Sequence, residues 1–437
     1  MLSVSSLSSC LLLVTLLFAP LTSSFTIHAS SSTRTMRNSF LLKSAADDLD
    51  STRDMLMGRT STSPTASTSS LAASPTSSSS SYNIIKTLQR SKTTHSPTWL
   101  FRQAGRHLPE YTSYKKSHST NFLKMLKSPQ HVSECTLQPI RRYSNLSAAI
   151  LFSDILVVPQ ALNITVTMPG GVGIQVPEPL TCVEDVVRMS EEIESRGVDS
   201  IVNELSYVYD SVKLINEKID SENLNVPLLG FSASPYTLFY YMVGGTSKKN
   251  QDIGSKYLKE HPKETKRLLN QLNIIVNGYV TRQVEAGAKA VQIFEALGGT
   301  LGESEFKEFC LPVLKDLAEM FKRDNNVPVM IFAREQCGFN GELEEWFDGV
   351  TIDTKVDLES VKKLNGVVQG GFNPSILIGE NNEENRGNIW KAVEEMFESV
   401  EGSRYIANLG EGMGGKENVE LVQVFLDAVR EVSGRKQ

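Results

Sequence analysis

Residues 264–294, ETKRLLNQLNIIVNGYVTRQVEAGAKAVQIF, run a long amphipathic stretch into a short apolar one, and that junction decides the fold. From Glu264 to Ala286, the residues Leu268, Leu269, Leu272, Ile275, Val276 and Tyr279 recur at helical spacing, so the stretch predicts a helix with one apolar face. Ala290 to Phe294 (AVQIF) then reads as a strand, β-rich and without clean alternation, as expected where both faces are buried. Working outward, similar runs recur at Ala148 to Phe152 (AAILF), Val226 to Phe231 (VPLLGF), Val327 to Phe332 (VPVMIF), Gly349 to Ile352, Val367 to Gly370 and Arg404 to Leu409 (RYIANL). Val419 to Val432 repeats the helical pattern at the C-terminal end. Strands separated by long helices imply βαβ units, and so many of them imply a closed barrel or a doubly wound sheet. Periodicity alone leaves those two open. Both place chemistry in the loops at the C-terminal ends of strands. Here those loops are Ser153-Asp154, Ser232 to Pro235, Glu295 to Gly299, Gly370 to Asn373 and Gly410 to Gly415. The last reads GEGMGG but lacks a GK[ST] ending, so it carries little weight as a nucleotide loop.

The length, 437 residues, would suit two or three average domains, yet single barrels of roughly 250 to 400 residues are common. A formal net charge of −6 gives no basic excess for nucleic-acid binding. Any anionic ligand must therefore be met by locally placed arginines. The cysteines Cys10, Cys135, Cys182, Cys310 and Cys337 form no CxxC pair and read as buried free thiols. The histidines show no HxH or HExxH spacing, so no metal site is expected.

The N-terminal part is expected to stand apart from the fold as a disordered leader. Cys10 to Ala19 (CLLLVTLLFA) is long enough for a signal-peptide core and too short to span a bilayer. Residues 1–24 read as that signal peptide. Residues 25–82 are rich in Ser and Thr, with scattered Arg34, Arg37, Lys43, Arg53 and Arg59, and too poor in apolar surface to fold alone. A signal peptide alone would mean secretion. Followed by a transit-like segment beginning at Phe25, it resembles the bipartite leader of algal plastids. The plastid stroma is the favoured destination, because the remaining chain lacks disulfide spacing. The fold itself is expected over residues 83–437, with no membrane association once the leader is removed.

Trp99 to Tyr111 reads WLFRQAGRHLPEY. Thr136 to Arg142 (TLQPIRR), Leu151 to Leu162 (LFSDILVVPQAL), Val176 to Pro179 (VPEP), Gly230 to Gly245 (GFSASPYTLFYYMVGG), Ala286 to Gly299 (AGAKAVQIFEALGG), Gln369 to Pro374 (QGGFNP) and Asn408 to Gly412 (NLGEG) follow in order. Together they resemble the uroporphyrinogen decarboxylase family over roughly Pro97 to Val432. The resemblance implies a single-domain (β/α)8 TIM barrel, an α/β fold usually found as a homodimer. It also implies a cofactor-independent carboxy-lyase of haem and chlorophyll biosynthesis, which converts the four acetates of uroporphyrinogen to methyls and yields coproporphyrinogen. That substrate carries eight carboxylates around four pyrrole N–H donors, so its site needs arginines at the rim and an acceptor at the centre.

By resemblance, Arg102, Gln103, Ala104, Gly105 and Arg106 form the rim motif, the arginines binding carboxylates and Gly105 allowing close backbone approach. Read without it, an RxxxR pair is more often a solvated helix face. Asp154 is implied as the catalytic acceptor, against the ordinary use of a post-strand Asp as a helix cap. Tyr241 matches a substrate-contacting tyrosine, whereas Tyr240, Ser232 and Ser234 read as packing positions. Two contact positions depart from the family: Ala296 stands where Ser is common, and Glu411 where NLGHG has His. Gly371 and Asn373 also differ from a usual QGNLDP, and Arg334-Glu335 stands near a usual Lys-Gly. These changes raise a competing expectation, a diverged porphyrinogen-binding paralogue with little or no turnover. A cobalamin-dependent methyltransferase on the same fold would need metal ligands late in the chain, where only Cys310 and Cys337 are available.

Overall fold

Each apolar run forms a strand, and the strands pair in chain order. The computed structural model describes residues 82–118, 121–168, 174–245, 253–400 and 404–435. The expected signal peptide and all of the transit-like segment except Tyr82 lie outside the described residues. β1 (Ala149–Ile150), β2 (Leu228–Ala233), β3 (Ala290–Glu295), β4 (Val329–Ala333), β5 (Gly349–Ile352), β6 (Val368–Gly370) and β7 (Tyr405–Ile406) make one sheet in the order 1-2-3-4-5-6-7. Every pair is parallel. Each strand is buried on both faces, which explains the absence of alternation in the runs.

Residues 97–99 complete the ring. The Ala407 N–H donates to Pro97 O (2.9 Å) and the Trp99 N–H to Ala407 O (3.3 Å), while the Ser147 N–H donates to Thr98 O (2.7 Å). This segment thus bonds to the chain beside β7 on one side and beside β1 on the other. It supplies the eighth position of a parallel TIM-barrel-like ring. Side chains also meet across the interior. Gln369 on β6 donates to Gln292 on β3 (2.5 Å) and to Thr351 on β5 (2.6 Å), and accepts from Trp99 Nε1 (2.9 Å). β3 and β6 are not sheet neighbours, so the bond between them runs through the middle of the barrel.

Helices cover the outside. α1 (Pro109–Ser117) follows the rim motif, and α2 (Pro129–Arg142) packs on α3 (Ser206–Ser221). α4 (Pro235–Met242) follows β2 directly. α5 (Pro262–Glu285) is the helix of the opening stretch; Pro262 and Glu264 suit its first turn, and Gly287 at φ 121° ends it. α6 (Leu311–Asp324) packs on α5, and α7 (Glu383–Ser399) on α8 (Val419–Arg435). Among the described residues, no helix is long and apolar enough to cross a membrane. Cys135 and Cys310 are buried as expected, but Cys182 is exposed, because it sits at the N-cap of a surface helix.

Candidate active site

The predicted site residues from widely separated motifs meet at the C-terminal mouth of the barrel. Asp154 follows β1 and is buried, 8% exposed. Its Oδ1 accepts the Leu156 N–H (2.7 Å), the bond of a local Asx turn, and not of a helix cap. No partner of Oδ2 occurs among the described residues. Burial pushes the carboxyl up to about 6, against the opposing pull of the Leu156 N–H and the Arg102 charge.

The arginine motif is a loop, not a helix face. It is held by Gln103, whose side chain accepts the Leu100 N–H (3.2 Å) and donates to Ala148 O (3.2 Å). The Gln103 side chain is fully buried and committed to the backbone, so it braces the rim from behind. Arg102 lies at φ 58°, a left-handed conformation costly for a residue with a Cβ. Ala104 and Gly105 are half-buried, and a Cβ added to Gly105 would meet no protein atom within 4 Å. That open face agrees with room for a ligand.

The GEGMGG loop cradles both arginines. Asn408 Oδ1 accepts the Phe101 N–H (3.0 Å), and the Met413 N–H donates to Phe101 O (3.2 Å). Arg106 Nη2 donates to Gly414 O (3.0 Å). A Cβ at Gly412 would lie 2.8 Å from Arg102 Cδ, and one at Gly415 would lie 3.0 Å from Arg106 Cβ. The space that Gly412 and Gly415 leave is therefore occupied by the arginine stems.

Tyr241 on α4 is half-buried beside the same mouth. Burial and the neighbouring Asp154 carboxyl push its phenol up, while Arg102 and Arg334 pull it down. Tyr207 is pushed up to about 12 by burial and by Asp154. The floor is aromatic: Phe101 meets Phe294 and Phe332 edge-on at 5.3 and 5.4 Å. Ala296 immediately follows β3, its N–H donating to Thr237 Oγ1 (2.9 Å). Glu411 is half-buried in the cradle loop, with no ion pair among the described residues.

Three features escaped the sequence reading: the aromatic floor, Arg334 as a mouth residue, and the buried hydroxyl network of Glu295. Ser234 is more than packing. Its hydroxyl caps α4 by accepting the Thr237 N–H (3.3 Å) and donates to Glu295, a fully buried carboxylate. Glu295 also accepts from Thr237 Oγ1 (2.6 Å) and the Leu297 N–H (3.1 Å). Burial raises its pKa, while the hydroxyls of Ser234 and Thr237 oppose the rise. A charge at the end of β3 and two hydroxyls at the start of the helix after β2 were the available signal. Glu295→Leu would strand these donors, so we expect about 3 kcal/mol lost in denaturant unfolding, with Glu295→Gln losing less. An unchanged midpoint in the Leu variant would show that the network contributes nothing.

Fold and mouth together define a class: a parallel α/β barrel whose mouth brings arginines with no ion pair among the described residues to the buried acid Asp154. The chain belongs to the uroporphyrinogen decarboxylase family, whose model, "Uroporphyrinogen decarboxylase (URO-D)", matches residues 79–432. A uroporphyrinogen decarboxylase of Danio rerio is 36% identical over 345 residues, covering 77% of this chain and 89% of that one. One from Salinibacter ruber is 34% identical over 356 residues, covering 80% and 95%. Among solved structures, a methyltransferase from Methanosarcina mazei matches with a TM-score of 0.63 over 80% of this chain and 97% of that one. At 16% identity this is a likeness of fold.

Proposed function

We propose that the protein is a uroporphyrinogen decarboxylase that converts the four acetate side chains of its substrate to methyls, with Asp154 as the central anion. The observation that carries this reading is a buried carboxylate, one oxygen of which has no partner among the described residues, near enough to Arg102 and Tyr241 to interact electrostatically with both. Oδ2 of Asp154 accepts the pyrrole N–H groups, and Arg102 and Arg106 take peripheral carboxylates as bidentate partners. A proton adds to the pyrrole α-carbon next to the ring carbon bearing the acetate, making the ring a cation whose positive charge reaches that acetate-bearing carbon. The C–C bond to the carboxylate then breaks, CO2 leaves, and the bonding pair neutralises the ring as an exocyclic methylene. Protonation of that methylene and loss of the ring proton leave the methyl. Each cycle consumes one proton and releases one CO2. The fixed anion beside the transient cation lowers the barrier because it needs no reorganisation.

The test is incubation of the protein with uroporphyrinogen and detection of coproporphyrinogen. Binding without any product would instead support a non-catalytic paralogue. Glu411 separates these outcomes further. An unpaired carboxylate ~4 Å from a substrate carboxylate would repel it by about 4 kcal/mol at an effective dielectric near 20. Half-exposure screens most of that, so Glu411→Gln should raise kcat/KM roughly fivefold, and more at low salt. No change at any ionic strength would place Glu411 outside the substrate's reach.

We also propose a homodimer, on the family resemblance, and import into the plastid stroma by residues 1–82. Light scattering tests the first. A fluorescent protein fused behind residues 1–82 tests the second, and its secretion would overturn it.

A further inference from the structure

The family motifs assign two arginines to the rim, but the mouth holds a third. Arg334 immediately follows β4, and its N–H donates to Glu295 O (3.0 Å), carrying the β3–β4 ladder one step beyond the strand. Side chains two apart on a strand share a face. Phe332 faces the barrel axis, where it meets Phe101, so Arg334 faces the same way one layer nearer the opening. Its guanidinium carbon stands 5.9 Å from the Phe332 ring centroid. The registers Phe294↔Phe332 and Glu295↔Ala333 make Ala296 the next neighbour of Arg334. The position that lacks a family hydroxyl therefore shares a layer with the position that carries a guanidinium.

The nearby acids do not neutralise Arg334. Glu335 pairs with Lys355 (2.7 Å). Asp353 spends its oxygens on the N–H groups of Glu335 and Lys355, each at 2.8 Å, and on Cys337 Sγ at 3.4 Å. Arg334 has no ion pair among the described residues, although it is half-buried. Arg102 and Arg106 likewise hold no ion pair among the described residues, although both are exposed. By contrast, Arg141, Arg142, Arg196 and Arg267 on the outer helices all hold carboxylates. Half-buried guanidinium without a counter-charge is poised for an anion from outside.

We propose that Arg334 is a third carboxylate-binding residue of the site, holding a side chain of the substrate across the mouth from Arg102 and Arg106 and replacing the contact missing at Ala296. This rests on the polycarboxylate reading given under Proposed function. The test measures steady-state kinetics of the full chain with Arg334→Leu, Arg334→Lys and Arg334→Leu combined with Ala296→Ser. Loss of a charge-assisted contact predicts KM for uroporphyrinogen raised about tenfold in Arg334→Leu, with kcat within about twofold and the melting temperature unchanged. Arg334→Lys should recover part of the loss. Ala296→Ser should lower KM more in the Arg334→Leu background than in the wild type. An unchanged KM overturns the proposal, and so does a joint fall of kcat and melting temperature, which would mark a structural residue. If the wild type yields no product, the decarboxylase reading fails by itself. Uroporphyrin binding, followed by fluorescence, then judges Arg334: about tenfold weaker binding in Arg334→Leu supports its role, and equal or absent binding overturns it.

Discussion

Asp154→Asn is expected to lose turnover by at least a hundredfold while making the fold more stable. In the wild type, Oδ1 is taken by the Leu156 N–H. An asparagine would keep that bond through its own oxygen and turn an NH2 group toward the pyrrole donors. The acceptor becomes a donor and the anion disappears, a change comparable with removing an oxyanion-hole group, about 3 kcal/mol or more. Stability should move the other way. The folded carboxyl titrates at about 6, above its ordinary 3.8. Between those values the folded chain holds a proton that the unfolded chain has released, so wild-type stability falls as pH rises through this window. Above about pH 6 the deficit is constant, about 3 kcal/mol at most. The variant escapes it, so its advantage in urea should be about 1–3 kcal/mol at pH 7 and should vanish below pH 4. The same titration predicts wild-type kcat/KM falling as pH drops below about 6. Activity above a tenth of wild type, or a variant less stable at neutral pH, would overturn the assigned role.

Arg102 gives the second large effect. Arg102→Gly should reduce kcat/KM about a hundredfold, because a bidentate, charge-assisted carboxylate contact contributes about 1.5–3 kcal/mol. Most of the loss should fall on KM. Arg102→Lys should rescue poorly, since an ammonium cannot form the paired bonds. The glycine variant also removes a Cβ from a left-handed backbone at φ 58°, worth about 1 kcal/mol of added stability. Denaturant midpoints and steady-state kinetics on the same preparations check both halves. A glycine variant of reduced stability with unaltered KM would mean that the conformation serves the loop alone. With Asp154, Arg102 makes the mouth a place where stability is given up for function.

The sheet was largely legible because each parallel strand is buried on both faces and shows as an unbroken apolar run. The closing segment 97–99 was not: it spans three residues, begins with Pro97, and holds its place through backbone bonds and Trp99. Arg102, Arg106, Asp154 and Tyr241 were legible as motifs, yet nothing in their spacing says that three distant stretches share one mouth. GEGMGG, given little weight as a nucleotide loop, was uninformative in a different way. Glycine marks a close approach without saying what approaches, and here it is the arginine stems of the same chain. Ser234 passed for a packing residue because its partner, Glu295, lies 61 positions away.

Ring closure by residues 97–99 also sets an order of events. A chain emerging from the ribosome presents WLFRQAGR early, but the Asn408 oxygen that receives the Phe101 N–H comes 307 positions later. Until the C-terminal stretch is made, the rim loop has neither its cradle nor its second flanking strand. An interrupted chain can stack most of the sheet and still offer a polycarboxylate no organised arginines. Organised arginines at the mouth therefore require both the N-terminal rim motif and the C-terminal loop to be in place.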